Sequence, residues 1–558
     1  MNEPKNIMTR DNDSKAFIDS GLILLMTAII YLPFLGLPAW DGNEPVRVIV
    51  AKEMLKTGDW LIPVLHGKPY FVKPPLMNWL IGTSGYLFGT FNEWTTRLPS
   101  VLITFLTSIS VYFLTGHWLN RDGRLFASLA ALSMSALIKK GSSAEIDSLF
   151  IFFVVFTLLF WINGFARQWK PVVLWSVSLA VLGIGFLTKG PQAPAYFYST
   201  IFVYLLLRKR ISYFFSRAHL VGVLFFVFVI GGYLFFVLRR IPLNDYVDMW
   251  ISQITQRAET RHFSFLEHFF EYPFRIILSF MPWTLFFVPA AFIKDIRRSV
   301  HEIAGNEIVF FSLVMFAVNL PLYWLLPNAR VRYFLPAGPF VGIMAAGLFE
   351  LTLRRAQENP AIMAVCKRSL KVLSWTMLFL ALSIPPAAAL MKLSFPMPLA
   401  LLVLCVVSLA VVALYRIRSL NLKNIPLYVT LFTGLFFLIY TDLDTQYDSR
   451  KDNYPKKIAS EINQLLPEDI TTVYELGYRR FLVVTCYLKK DVIQVDGFSE
   501  LKSMDKNKGK IYFIFDTGFL KASSDAEKKV LSGEIKWEKV YSRHYERGRD
   551  EIVMGYLQ

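Results

Sequence analysis

From Gly21 to Asp442 the chain alternates long apolar runs with short polar connections, and after that the pattern changes. The first run is Gly21–Pro38. Others occupy residues 76–91, 97–119, 125–138, 147–165, 171–188, 191–207, 219–238, 274–293, 307–326, 333–352, 371–391, 397–415 and 426–442. Most of these runs have the roughly 17 to 22 residues that a helix needs to cross a bilayer. Leu76–Phe91 is interrupted by Asn78, Gly82, Thr83, Ser84, Gly85 and Gly89, and is predicted to be a juxtamembrane helix that does not cross. About thirteen spans remain. Glu44–Lys56 spaces Val48, Ile49, Ala51, Met54 and Leu55 helically among Arg47, Lys52, Glu53 and Lys56, which predicts an amphipathic helix on a bilayer surface. A second interfacial helix is predicted within residues 239–273, where Trp250, Gln253, Gln256, Arg257, Arg261, His262, Glu267 and His268 cluster.

After Asp442 short strand-like runs take over: Thr472–Leu476, Val492–Val495, Lys510–Asp516, Lys536–Tyr541 and Glu551–Tyr556. Helical stretches lie between them at Pro455–Leu466, Arg479–Lys489 and Ala526–Ser532. The prediction is therefore an α-helical polytopic membrane domain over residues 1–442 and a small α/β domain over 443–558. The membrane domain carries juxtamembrane helices at about 40–92 and 239–273.

The composition, 54% hydrophobic and 16% aromatic, agrees with a membrane protein and excludes a soluble globule. A net charge of +17 raises nucleic acid as a partner. The basic residues, however, sit in connections: Arg121–Arg124, Arg167–Lys170, Arg208–Arg217, Lys294–Arg298, Arg354–Lys371 and Arg416–Lys423. These alternate with connections poor in Lys and Arg, so the charge sets orientation and meets anionic lipid. The positive-inside rule puts the six basic connections and the N-terminus in the cytoplasm and the C-terminal domain outside. Met1–Asp19 is polar and has no small-residue cleavage site, so the first run reads as a retained span. Cys366, Cys405 and Cys486 fall in a loop, a span and the tail, which is no disulfide framework.

The same parity gathers five connections on the outer side: the Trp40–Pro75 loop, Lys139–Asp147, residues 188–191, Arg239–Pro273 and Pro327–Pro336. Ionisable groups at a membrane boundary are costly unless they serve a ligand or each other. P-loop, HExxH and paired CxxC signatures are absent, and Gly183-Ile184-Gly185 reads as helix packing. The gathered groups suit a lipid phosphate. Lys73, Lys189, Arg257, Arg330 and Arg332 are candidates to bind it and stabilise it as a leaving group. Asp41, Glu44 and Asp147 are candidates to take a proton from an attacking hydroxyl. Trp60, Tyr70, Phe71 and Tyr333 are candidates to line a sugar or polyprenyl groove.

Two motifs are specific: E-M-L-x-x-G-D-W-x-x-P at Glu53–Pro63 and Y-F-x-K-P at Tyr70–Pro74. Asp147 opening a span, the Gly185–Pro191 turn, Pro282-Trp283 and Tyr333–Pro336 support them. With these pieces, residues 20 to 440 resemble the GT-C glycosyltransferases, in particular bacterial aminoarabinose transferases and protein O-mannosyltransferases. The resemblance implies an inner-membrane enzyme with a periplasmic active site and tail. Such an enzyme moves a sugar from a polyprenyl phosphate to lipid A, another envelope glycan or a protein. It implies donor-phosphate roles for Tyr70, Lys73, Lys189, Arg257 and Tyr333, and catalytic roles for Asp41, Glu44 and Asp147.

The sequence departs from that family at two places. Asp41-Gly42-Asn43-Glu44 replaces the usual D-E after the first span; Asp41 is favoured as the key acid, since it stands at the span end. Val72 and Gln253 replace a proposed metal-binding Glu and His, and neither is a good transition-metal ligand, so no metal cofactor is expected. A lipid-linked glycan transporter or flippase is the alternative, but it calls for repeated halves and mid-membrane polar residues, and no repeat is visible. A non-catalytic scaffold gives no reason for Asp41, Lys73 and Lys189.

Overall fold

The computed structural model describes residues 4–248, 265–288, 292–326, 329–416, 421–477, 481–503, 510–516, 537–544 and 551–557. The chain forms two compact units. One comprises Met1–Leu35, Val72–Met77 and Arg97–Asp442; the other comprises Gly36–Phe71, Asn78–Thr96 and Leu443–Gln558.

Among the described residues ten helices are long and apolar enough to cross a membrane. They are Ser14–Tyr31, Glu93–Leu114, Asp147–Ala166, Pro171–Lys189, Arg217–Leu238, Glu307–Trp324, Leu335–Glu358, Pro360–Leu390, Met397–Tyr415 and Leu422–Ser449. Each coincides with a predicted span. The three other predicted spans are shorter or broken. Residues 125–138 split at Met134, whose extended backbone separates Arg121–Ser133 from Ser135–Gly141. Residues 191–207 form Gln192–Leu207, 16 residues starting after Gly190-Pro191. The described part of residues 274–293 includes the end of Phe265–Ser279 and a 3-10 turn at Trp283–Phe287 that follows Pro282, and residues 289–291 lie outside the described residues. Leu76–Phe88 has 13 residues, a rise of about 20 Å against a hydrocarbon core of about 30 Å, too short to cross.

Close packing explains Gly183 and Gly185 inside their span. A methyl group on Gly183 would stand 3.0 Å from Val229, and one on Gly185 would stand 2.9 Å from Phe153. Helix backbones approach this closely only where a side chain is missing. Asp147–Ala166 is apolar all round and mostly buried, whereas Arg217–Leu238 exposes Leu220, Leu224, Val227, Phe228 and Phe236. An exposed apolar face of that extent is suited to lipid. At one end of this unit Arg121 pairs with buried Asp19 at 2.7 Å and Lys423 with Asp122 at 2.7 Å, joining two basic connections and the N-terminal helix.

Among the described residues of the second unit five strands form one sheet in the order β4-β3-β5-β7-β6. They are β3 (Thr472–Leu476), β4 (Asp491–Val495), β5 (Ile511–Asp516), β6 (Trp537–His544) and β7 (Glu551–Leu557). β3 lies parallel to β4 and β5, while β7 runs antiparallel to β5 and β6. Residues alternate between two cores: Tyr512 and Ile514 face Ile458 and Ile462 of the Pro455–Leu465 helix, and Phe513 and Phe515 face Phe498 and Leu501. This is the period-two pattern of a sheet covered on both faces. The predicted helix at Arg479–Lys489 is reduced to Leu482–Thr485, and Ala526–Ser532 lies outside the described residues.

A hairpin, β1 (Val64–Leu65) and β2 (Lys68–Pro69), turns through His66 and Gly67 at φ 49° and 81°. Two consecutive positive φ values are what a tight hairpin requires. His66 anchors it: its carbonyl accepts from Gln494 N–H at 2.9 Å, and its Nδ1 lies 2.6 Å from Glu475 Oε2. The Glu44–Thr57 helix is not the surface-lying amphipath that its spacing predicts. Glu44, Pro45 and Arg47 are buried along with Val46, Val48, Ile49, Val50, Ala51 and Met54, so its first two turns are enclosed by protein on every side.

Candidate active site

The first unit brings four of the predicted groups, Asp147, Lys189, Arg332 and Tyr333, together at one end. Asp147 is the first residue of its helix and Lys189 the last of Pro171–Lys189, so each complements its helix dipole. Lys189 Nζ donates to Asp147 Oδ1 at 2.7 Å, with side chains 3% and 2% exposed. Lys140 Nζ lies 3.3 Å from Asp147 Oδ2 and also pairs with Glu145. Arg332 Nη1 is 3.8 Å from Glu145 Oε1, and Arg332 Nε is buried without a hydrogen-bond partner among the described residues. The Lys189 ammonium lies over two rings, 4.5 Å from the Phe150 centroid and 5.0 Å from that of Tyr333. Tyr333 is held through its carbonyl, which accepts from Tyr196 OH at 2.8 Å.

Three cations thus share two carboxylates in a mostly buried cluster. Burial presses the Lys140 ammonium towards neutrality, but Asp147 and Glu145 outweigh it and hold the group above its usual range. An excess of buried positive charge, with an unsatisfied Arg332 donor, is an environment that favours an anion.

The second unit holds the other acids. Asp41 is exposed, while Glu44 is buried at the start of its helix and accepts from Asp41 N–H at 3.0 Å. Glu44 therefore fixes the loop that carries Asp41. Tyr70 and Phe71 are buried; Tyr70 OH accepts from Arg47 Nη2 at 3.4 Å, and Arg47 Nη1 donates to Asn78 Oδ1 at 3.2 Å. The Trp60 carbonyl accepts from Trp79 Nε1 at 2.6 Å.

Lys73 is half-buried in the segment that follows Tyr70-Phe71, and Arg330 is exposed. Arg257, Gln253, Trp250, Gln256, Arg261 and His262 lie outside the described residues. Lys140, Glu145 and Arg47 are the groups that the sequence pattern does not single out. The first two were detectable as ionisable neighbours of Asp147 in one short connection. Arg47 was hidden because its helix reads as a surface helix.

Of the two positions where the resembled family has proposed metal ligands, Val72 is described and Gln253 is not. Val72 has no ligating atom, no three His, Cys, Asp or Glu side chains converge among the described residues, and His268 Nε2 lies 3.3 Å from the Tyr323 carbonyl.

Comparison with known proteins agrees with this architecture. Residues 72–233 match the profile of the dolichyl-phosphate-mannose-protein mannosyltransferase family. An uncharacterized protein of Aquifex aeolicus is 26% identical over 469 residues, covering 82% of this chain and 84% of its own. The undecaprenyl phosphate-alpha-4-amino-4-deoxy-L-arabinose arabinosyl transferase of Yersinia enterocolitica is 28% identical over 334 residues, 59% of this chain and 58% of that one. The match thus spans less than two thirds of that transferase's length. The crystal structure of ArnT from Cupriavidus metallidurans bound to undecaprenyl phosphate superposes with a TM-score of 0.70 at 17% identity, covering 96% of this chain and 97% of that one. The chain has the GT-C fold of that ArnT and is similar to the aminoarabinose transferases and the dolichyl-phosphate-mannose-protein mannosyltransferases.

Proposed function

We propose that this chain transfers a sugar from a polyprenyl phosphate, such as undecaprenyl phosphate, to an acceptor in the bacterial envelope: lipid A, another glycan or a protein. It works in the inner membrane with its N-terminus cytoplasmic and its C-terminal unit periplasmic. The observation that carries this reading is the buried cluster of Lys189, Lys140 and Arg332 on Asp147 and Glu145. A sugar-phosphate diester has one negative charge, and the departing polyprenyl phosphate approaches two near neutral pH. Fixed cations therefore stabilise the transition state more than the bound donor, which is the condition for catalysis.

An acceptor oxygen attacks the anomeric carbon from the side opposite the phosphate. The new C–O bond forms as the bond to the phosphate oxygen breaks, and that electron pair stays on the phosphate, so configuration inverts. Lys73, Lys189 and Arg257 neutralise the growing charge, with Tyr70 and Tyr333 positioning the phosphate. Asp147 orients Lys189. If the acceptor is a hydroxyl, its proton passes to Asp41, which Glu44 holds in place; if it is a phosphate oxygen, Asp41 only orients. No step uses a transition metal.

Mass spectrometry of lipid A, surface glycans and envelope proteins from a strain lacking the gene tests this. One glycoform disappears and returns with the wild-type gene, while a Lys189→Met gene does not restore it. An unchanged glycoform set contradicts the proposal.

A further inference from the structure

The second unit contains a cavity of about 510 Å³ that the reaction above leaves without a role. Glu93, Lys456, Asn463, Gln464, Tyr487 and Lys489 line it. The volume falls within the ~300–1,000 Å³ of small-molecule sites, but the lining is polar, which selects a hydroxylated ligand over a lipid chain.

The inner wall is a continuous relay. Trp40 N–H donates to Tyr487 OH at 2.7 Å, Tyr487 OH donates to Glu93 Oε1 at 2.7 Å, and Lys456 Nζ lies 2.5 Å from the same oxygen. The Trp40 and Tyr487 rings stack at 4.6 Å, and the Lys456 ammonium lies 5.6 Å from the Tyr487 centroid. Burial, with Glu93 adding to it, pushes the Tyr487 phenol above its usual range, so it remains a donor. Asn463 locks the rim: its Nδ2 donates to the Tyr487 carbonyl at 3.2 Å and its Oδ1 accepts from Lys489 N–H at 2.9 Å.

The charges along this wall do not cancel. Glu93 is buried and engaged by Lys456 and Tyr487, whereas the exposed Lys489 has no acidic partner among the described residues. One positive charge is left over at the mouth. The relay ends on Trp40, and the next residue is Asp41, the exposed acid assigned to the acceptor.

We propose that this cavity docks the headgroup of an anionic acceptor, a phosphorylated or carboxylated sugar, and so presents it on the unit that carries Asp41. That the ligand is an acceptor rests on the transferase reading; that an anionic sugar binds here does not.

The test uses the full chain in nanodiscs of zwitterionic lipid, with saturation-transfer NMR on three probes: glucosamine 1-phosphate, glucuronate and glucose. Wild type is expected to bind one or both anionic probes with millimolar affinity, and the better one identifies phosphate or carboxylate as the source of charge. Lys489→Glu, a surface change that folding tolerates, is expected to weaken that binding at least tenfold, and Gln464→Ala to weaken it severalfold. Glucose is expected to bind weakly and equally to wild type and Lys489→Glu. Absence of anionic-probe binding, or equal affinity in wild type and Lys489→Glu, overturns the proposal. Undecaprenyl phosphate binding to the same wild-type nanodiscs is measured in parallel. Its absence alongside intact sugar binding overturns the transferase reading alone.

Discussion

Removing one member of the Asp147–Lys189 pair should have unequal consequences depending on which member is lost. Both side chains are almost fully buried, so an unpaired survivor costs about 3–5 kcal/mol. Asp147→Asn leaves the Lys189 ammonium with no other acidic contact among the described residues, and that cost applies in full. Lys189→Met leaves Asp147 with Lys140 at 3.3 Å from its other oxygen. The loss there is closer to one charge-assisted hydrogen bond, about 1.5–3 kcal/mol. Lys140→Met should cost least, about 1 kcal/mol, since Asp147 keeps Lys189 and Glu145 keeps Arg332. The double variant Asp147→Asn/Lys189→Met removes both charges and should be more stable than Asp147→Asn alone, with a coupling of at least about 1.5 kcal/mol. Unfolding midpoints of wild type and the four variants in one detergent, followed by tryptophan fluorescence, give the order. If Lys189→Met unfolds at or below Asp147→Asn, or the double variant is additive, Lys140 is not acting as a second counter-ion and the cluster is wrongly described.

Lys73→Ala should leave the protein folded and inserted while lowering transfer by roughly 30- to 1,000-fold, the range expected for a contact of ~2–4 kcal/mol to developing phosphate charge. Lys73→Arg should rescue it poorly, as a planar fork does not replace a compact ammonium; near-normal turnover of the purified Ala variant would return Lys73 to an anchoring role. Burial pushes the Cys486 thiol up to about 12, against about 8.5 for a free thiol. Between these values the unfolded chain releases the proton while the folded one retains it, so stability falls as pH rises above about 8.5. Iodoacetamide at pH 8 should spare Cys486 in the native protein and modify it after denaturation, read by peptide mass spectrometry; rapid native labelling would show that the site is open. A reporter that is active only in the cytoplasm should stay silent when fused after Gln558. Transfer should survive chelation, because Val72 offers no ligand; activity lost to EDTA and restored by zinc or manganese would reveal another ligand set.

Much of the fold was legible because hydrophobic length is nearly decisive in a membrane: ten predicted spans reappear as helices. The sequence misled where length was marginal: at Met134 the break in an apolar run leaves no mark in composition, while at Pro282 a visible proline ends the helical run. Glu44–Thr57 failed for a different reason. Helical spacing reports an apolar face, but not whether protein or lipid covers it, and Arg47 is buried on the face expected to meet water. In the tail, all five strands were readable as short strand-like runs, whereas their order depends on long-range pairing that local residues do not encode. At the site, Asp147, Lys189 and Tyr333 could be named from boundary position and motif. Lys140 and Glu145 emerged only when the structure folded their loop onto Asp147.

The central claim is that fixed cations release a sugar from a polyprenyl phosphate. Its most direct test is a single-turnover assay of the purified protein in lipid with an undecaprenyl-phosphate sugar and envelope extract as the source of acceptor. The chromatographic readout is free undecaprenyl phosphate together with the glycosylated acceptor. Wild type should yield both in equimolar amounts, and Lys73→Ala and Lys189→Met should yield almost none of either. Formation of neither product by wild type, or equal yields from wild type and both variants, would contradict that claim.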